Sequence, residues 1–448
     1  MYQESAGKIF LNYAIPQMIG LLFNSIYIIV DGVFIGMRLG SNALAAAGVG
    51  VPVVELLIAL GIGLTSGAGV VISDRLATHN YSAARNAFLT ALFLQGTIAL
   101  VISVLGNLFL QPLATLLGAT PEIHGLTTTY LRYIVTFSPF LLFSYLLGGL
   151  ARNDGRPKLA MAVLTVGSLS NILLDYVFMY PLNMGIAGAA LATAIGPVIS
   201  VLILLPHFLL RKGLLYFEPG VPDRQTIRWF ITLGFPSFVM EFSIGMVTFL
   251  MNYGIVRYGF GEEGLAAYLL IGYLMLIILT LFLGMAEGLQ PAFSYLHAAE
   301  ERQKLAELLK IASAVFLLLG IGSYALVFLH SLHFYQIFTP GDEALAFYAA
   351  EKSRPYFACF FCAGLNILMI SYFQSTQTPG KALLLSSLRG FLLPGLFILT
   401  LPSLAAPSCL WFCHSLAEAC TLLVYWLVRD DKGKRSTSGN RMNLTHNP

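Results

Sequence analysis

The sequence predicts an all-α polytopic membrane protein of 12 transmembrane helices, arranged as two pseudo-symmetric six-helix lobes with both termini cytoplasmic. Three observations carry this. Of 448 residues, 57% are hydrophobic and only 10% charged, against about 25% charged in soluble domains, so a water-facing surface cannot be assembled from this inventory. Twelve apolar runs reach the length of about 20 residues that a bilayer core requires. Short motifs recur at offsets of 220 to 223 residues. The composition excludes a soluble enzyme, a nucleic-acid binder and a disordered chain. The net charge of +3 is too small to point to an anionic partner.

In order, the spans are residues 9–36, 44–72, 86–109, 128–151, 158–180, 186–210, 228–256, 265–291, 307–330, 346–374, 381–402 and 408–428. The first run is far longer than a signal-peptide core of about 7–15 residues, so it reads as a span. Polar joints such as Arg152 to Lys158 and Phe217 to Arg224 separate the runs. Pro236 is expected to break span 7 and expose carbonyls to a cavity. The domain organisation is an N-lobe over 1–210, a cytoplasmic linker over 211–227, a C-lobe over 228–428 and a polar, mobile cytoplasmic tail over 429–448.

Lys and Arg set the orientation. With a cytoplasmic N terminus, inside segments hold 19 basic residues and outside segments 5, and Arg389 alone falls inside a span. Trp229, Trp411 and Trp426 fall at span ends, where interfacial tryptophans are expected.

The halves resemble each other. Pro16 matches Pro236, Leu44-Ala-Ala matches Leu265-Ala-Ala, Gly63-x3-Gly67 matches Gly284-x3-Gly288, and Pro157-Lys158 matches Pro379-Gly-Lys381. Six spans per half give both halves the same orientation, so their axis runs along the membrane normal with a pathway between them.

The sequence has no G-x-x-x-x-G-K-[ST], no H-E-x-x-H and no G-x-S-x-G, so neither ATP use nor a familiar hydrolase mechanism is expected. Its five cysteines, including Cys359 and Cys362, lie in apolar runs and read as packing; His330 and His333 read as surface. Work must come from an ion gradient or from the substrate's own gradient, and no cofactor is expected beyond H⁺ or Na⁺ as coupling ion.

An ionisable group in a span costs about 2.5–3.5 kcal/mol and is a functional candidate by default. These are Asp31, Glu55, Asp175, Glu241, Glu287, Arg389 and Glu418. Asn24, Tyr27 and Asp31 share one face of span 1, and Asn171 and Asp175 one face of span 5. Span 6 carries Thr193 after the small-residue run from Gly188, which permits close helix approach. At a rise of 1.5 Å per residue, Asp31 and Asp175 lie roughly 8 Å from the outer ends of their spans and Thr193 roughly 10 Å. Carboxylates grouped at one depth share a proton or a cation, and a Na⁺ site at Asp31, Asn171, Asp175 and Thr193 is the corresponding metal expectation. The bland alternative is a hydrogen-bonded network that only joins helices. Glu241 suits a cationic substrate or a proton, or else pairs with Arg389. Glu287, on the inner side of span 8, suits either transport or inner-gate packing. Glu55 and Glu418 are weaker candidates, and Arg389 reads as structural.

Several stretches together resemble the multidrug and toxic compound extrusion (MATE) family. They are Asp31 to Gly36, Asn153 to Lys158, Asn171 to Asp175, Gly185 to Thr193, Gly288 to Pro291, and Gln374 to Lys381 followed by Ser386 to Arg389. The resemblance implies a V-shaped pair of lobes working by alternating access. It implies export of drugs or other organic, often cationic compounds in exchange for H⁺ or Na⁺. It implies an N-lobe cation site at Asp31, Asn171, Asp175 and Thr193, and a C-lobe acid at Glu241. Branches with that glutamate often carry another acid in helix 10, where this sequence has Asn366. The expected partners are small organic substrates and the lipid bilayer, with no nucleic acid. The expected state is a monomer in a prokaryotic inner (cytoplasmic) membrane. The rival expectation is a flippase for a lipid-linked precursor, which needs a basic cavity.

Overall fold

The computed structural model describes residues 4–339 and 342–429, so the predicted tail lies, apart from Arg429, outside the described residues. The described chain is helical throughout: α1 Ala6–Leu39, α2 Ser41–Ala77, α3 Tyr81–Leu108, α4 Leu110–Leu116, α5 His124–Asn153, α6 Pro157–Met179, α7 Ile186–Leu209, α8 Arg224–Arg257, α9 Gly261–Ala298, α10 Arg302–Phe338, α11 Glu343–Phe357, α12 Phe360–Ser375, α13 Pro379–Ser387, α14 Leu393–Leu404 and α15 Cys413–Arg429. Helix starts follow local chemistry. Ser5 caps α1 and Asn80 caps α3 through their side-chain oxygens, satisfying N–H groups that have no partner within the helix. Asp223 caps α8 by accepting from the backbone N–H groups of Gln225 and Thr226 at 3.1 and 2.9 Å. The repeated prolines Pro157 and Pro379 open α6 and α13, where a missing N–H costs nothing. Gly40, at φ +83°, makes the one-residue joint between α1 and α2, a conformation open to glycine and strained for other residues.

Among the described residues eleven helical segments are long and apolar enough to cross a membrane, and a twelfth span is the pair α11 and α12, bent by 49°. The run 346–374 is therefore not one straight helix. Pro355 lies just before the break, where it withholds an N–H from the helix ladder. The expected break at Pro236 does not form: α8 continues through it. Gln374 of α12 clamps this stretch, donating to the Leu233 carbonyl and accepting from the Ser237 hydroxyl at 2.8 Å, so a neighbouring helix satisfies the backbone beside the proline. The eleventh span contains a π-helical turn at Leu388–Leu392 between α13 and α14, and the twelfth opens with a 3-10 turn at Pro407–Phe412. That second turn corrects the reading of Trp411. It is 1% exposed, with its ring 5.7 Å from Phe260 and 6.5 Å from Tyr268, so it belongs to the core. Trp426 is exposed and Trp229 half-buried.

The two lobes interlock at the face that carries the N terminus. Ile9, Phe10 and Tyr13 of α1 belong to the hydrophobic core of the C-lobe, and Phe230 and Leu233 of α8 to that of the N-lobe. The repeated glycines explain how. A Cβ on Gly67 would sit 2.0 Å from the Phe230 carbonyl oxygen, and one on Gly234 2.0 Å from that of Gly63. A Cβ on Gly288 would meet the Tyr13 carbonyl oxygen at 2.3 Å, and one on Gly284 the Met18 Cα at 2.6 Å. The two motifs are thus the pseudo-symmetric seams where α2 meets α8 and α9 meets α1. Farther along the same helices the lobes part, and Ile28, Val51 and Leu269 face the space between them while 41%, 49% and 58% exposed.

Candidate functional site

Close backbone approach builds the N-lobe site. A Cβ on Gly196 would lie 3.2 Å from the Gly167 carbonyl oxygen, and one on Gly188 3.0 Å from the Phe178 Cβ. These contacts draw α6 and α7 together, as the small-residue run predicts. Asn24 and Tyr27 of α1, Asn171 of α6 and Thr193 of α7 then line one cavity of about 70 Å³. Asp31 and Asp175 are not on its wall; their carboxyls lie within hydrogen-bonding reach of each other. Asp175 is completely buried and Asn171 2% exposed.

This group is short of partners. Asp31 Oδ1, both carboxyl oxygens of Asp175, both amide atoms of Asn171 and Thr193 Oγ1 are buried without a hydrogen-bond partner. A buried unsatisfied polar group costs about 1–3 kcal/mol, and facing carboxylates repel unless a proton or cation lies between them. The set supplies hard oxygen donors, which suit a proton or an alkali cation. Ser144 and Tyr145 of α5 share the cavity wall. Sequence reasoning missed both, because neither is charged and the apolar run around them carries no other sign of facing inward.

A larger cavity of about 670 Å³ lies between the lobes. Glu55 of α2, Glu241 of α8, Glu287 of α9 and Arg389 are its acidic and basic side chains, His414 shares its wall, and Asn24 and Tyr145 line both it and the N-lobe cavity. Asn24 thus sits where the two spaces adjoin. Arg389 does not pair with Glu241. Its Nε lies 2.6 Å from Glu418 Oε1, and among the described residues neither Glu241 nor Glu55 has an ion-pair partner. Glu241 is 5% exposed, with Oε1 unpartnered.

Glu287 has a different setting. It accepts from Gln17 Nε2 at 2.9 Å and lies 3.7 Å from Arg152 NH2, so it ties α9 to α1 and α5 across the seam. Two further contacts cross nearby: Gln377 Nε2 donates to Asp74 at 2.8 Å, and Arg75 NH2 to the Thr226 hydroxyl at 2.8 Å. Toward the other end, the Ser25 and Thr280 hydroxyls meet at 2.6 Å.

Comparison with known proteins bears on the fold as a whole. The MatE family model matches residues 16–177 and 236–394, one segment in each half. The multidrug export protein MepA of Staphylococcus aureus is 26% identical over 431 residues, covering 94% of both chains. The outward-facing conformation of a multidrug resistance MATE family transporter of the MOP superfamily superposes with a TM-score of 0.89 at 22% identity, covering 95% of each chain. A MOP superfamily transporter from Pyrococcus furiosus, described as having a binding pocket of reversed polarity, superposes at 0.87 and 23% identity, also over 95% of each chain.

Proposed function

The chain belongs to the MATE family of multi-pass membrane transporters, and from that premise we propose that it is an H⁺- or Na⁺-coupled antiporter exporting organic, often cationic compounds. The observation that carries this reading is the group of Asp31, Asp175, Asn171 and Thr193, six of whose oxygen and nitrogen atoms are buried without partners, joined through α1 to the wall of the central cavity. Asn24 and Asp31 are two helical turns apart on that helix, about 10 Å. An ion arriving at Asp31 therefore changes the packing of the element that also lines the substrate space.

The excess of basic residues in the segments predicted to share the side of the N terminus, 19 against 5 in the sequence, supports a cytoplasmic setting for that face. The lobes are then closed inside and open outside. In this state H⁺ or Na⁺ enters between Asp31 and Asp175, is shared by the two carboxyls, relieves their repulsion and repacks α1, α6 and α7. Substrate leaves outward from a cavity whose walls are largely apolar, with Glu55 and Glu241 as counter-charges for a cation. Once the ion has left inward, fresh substrate binds from the cytoplasm. A membrane potential of 100 mV contributes about 2.3 kcal/mol for each charge moved. Both cavities are complete within one chain, so the working unit is a monomer, and the setting is a prokaryotic inner membrane. The flippase alternative loses support: Arg389, the arginine on the cavity wall, is already engaged by Glu418.

Dye efflux from proteoliposomes under separately imposed proton and sodium gradients tests the proposal. One gradient should drive efflux, and Asp31→Asn should abolish that response while the protein still inserts. Efflux by the variant at wild-type rates would sink the coupling role.

A further inference from the structure

The C-lobe repeats the architecture of the N-lobe without repeating its acids. Shifted by 221 residues, Asp31, Asn171, Asp175 and Thr193 fall on Asn252, Leu392, Leu396 and His414, and no shift from 220 to 223 places a carboxyl opposite either aspartate. At the offset of 222 set by Pro157 and Pro379, Ser168 falls on Gly390, next to Arg389, and at 221 Pro197 falls on Glu418; Ser168 and Pro197 both line the N-lobe cavity. In the C-lobe Arg389 and Glu418 are bridged by a 2.6 Å ion pair between a completely buried carboxylate and an arginine 7% exposed.

The surroundings hold the pair in place. Asn366 Nδ2 donates both to Glu418 Oε2 at 2.7 Å and to the Glu418 backbone carbonyl at 2.8 Å. His414, one turn earlier on α15, brings Nε2 to 3.9 Å from Glu418 Oε1, and its ring stacks on Tyr356 at 5.2 Å. The thiols of Cys359 and Cys362 and the phenol of Tyr356 are the further ionisable groups around the carboxylate. Arg389 reaches this site from the π-helical turn, whose Gly390 is pressed against Ser243 so closely that a Cβ would meet its Oγ at 2.0 Å. Such turns recur at functional sites. Removing one partner of a buried pair leaves the other charge uncompensated, so Glu418, Asn366 and the nearby imidazole would be left as an oxygen- and nitrogen-lined acid site.

We propose that Arg389 is a tethered counter-ion: a covalently attached cation that permanently occupies the part of the C-lobe corresponding to the N-lobe cavity and masks a latent site for a proton or alkali cation at Glu418 and Asn366. The comparison between lobes rests on reading Asp31 and Asp175 as the coupling site; the masking of Glu418 does not. On this inference the protein loads its mobile ion in one lobe only.

Bound ions are counted on the purified full chain, Na⁺ by calorimetric titration with NaCl at fixed pH and protons by uptake after an acid pulse. Arg389→Gln should bind one more ion per molecule than the wild type. The double variant Arg389→Gln/Glu418→Gln should return to the wild-type count, and Arg389→Lys, which keeps a tethered cation, should match the wild type. An unchanged count in Arg389→Gln, or an extra ion in Arg389→Lys, overturns the proposal. If Arg389→Gln does not fold, the double variant decides: a folded double variant with the wild-type count supports masking, and one with a different count overturns it. Asp31→Asn is the separate control. If its count does not fall, the N-lobe reading fails while the Arg389 comparison still stands.

Discussion

Adding a single methyl group at Gly67 should shift the balance between the two faces of the transporter. In the closed seam a Cβ at this position lies 2.0 Å from the Phe230 carbonyl oxygen, 2.8 Å from its carbonyl carbon and 2.9 Å from the Gly234 nitrogen. All three are backbone atoms, so no side-chain rotation relieves the overlap and α2 must move away from α8. Overpacking of this kind costs about 1–3 kcal/mol, and about 1.4 kcal/mol is a factor of ten in an equilibrium. Gly67→Ala should therefore lower the ratio of seam-closed to seam-open molecules by roughly 5- to 150-fold. The penalty falls only on the state in which the helices touch, because both lobes keep their own packing when the seam opens. The assay is the distance between spin labels on the two lobes at the end opposite the seam, measured in nanodiscs. Gly67→Ala should add or enlarge a short-distance population. Gly245→Ala on α8 is the control: its Cβ meets nothing within 4 Å, so it should leave the distribution unchanged. Identical distributions for Gly67→Ala and the control would refute the assignment of the glycine motifs as the seam.

Glu287→Gln should also weaken the closed seam, by removing the acid beside buried Arg152. Breaking a buried pair costs about 3–5 kcal/mol; the 3.7 Å separation and the retained Gln17 contact place this one at or below the lower end, and the same label distances should show the shift. Trp411→Ala should lower the melting temperature of the detergent-solubilised protein, by about 3–5 kcal/mol of stability, whereas an interfacial tryptophan would give a small change. Burial works to raise the Asp223 carboxyl, but hydrogen bonds from the Thr226 hydroxyl and from the N–H groups of Thr226 and Gln225 outweigh it and hold the group below the usual carboxylate range. The cap on α8 is therefore fully effective above the ordinary aspartate range near about 3.9 and is lost as pH falls through the depressed folded value. Asp223→Ala should cost about 0.5–2 kcal/mol near neutrality, and the difference in melting temperature from wild type should vanish in acid; a pH-independent difference would contradict this.

Much of the molecule was legible from the chain alone. Hydropathy gives the spans because each helix must satisfy its own backbone in lipid, and span length depends on little else. The constant rise of an α-helix places Asp31 and Asp175 at one depth, and the structure brings their carboxyls together. The repeated glycines were visible as a motif, although only the packed lobes show that they are where α2 and α8, and α1 and α9, meet. What one-dimensional pattern could not supply was the identity of partners from distant segments. Arg389 is as close in sequence to Glu418 as to many other groups, and it meets Glu418 rather than Glu241 from within a π-helical turn that the sequence did not announce. Glu55 reads as an isolated acid until α8 is packed opposite it, and Arg152 as a loop cation until α9 brings Glu287 across the seam. The continuity of α8 through Pro236 depends on Gln374, 138 residues away. Local rise, periodicity and transfer energy act along the chain and so are written in the sequence. Pairing energies act through space, and they were decided only when the lobes closed around them.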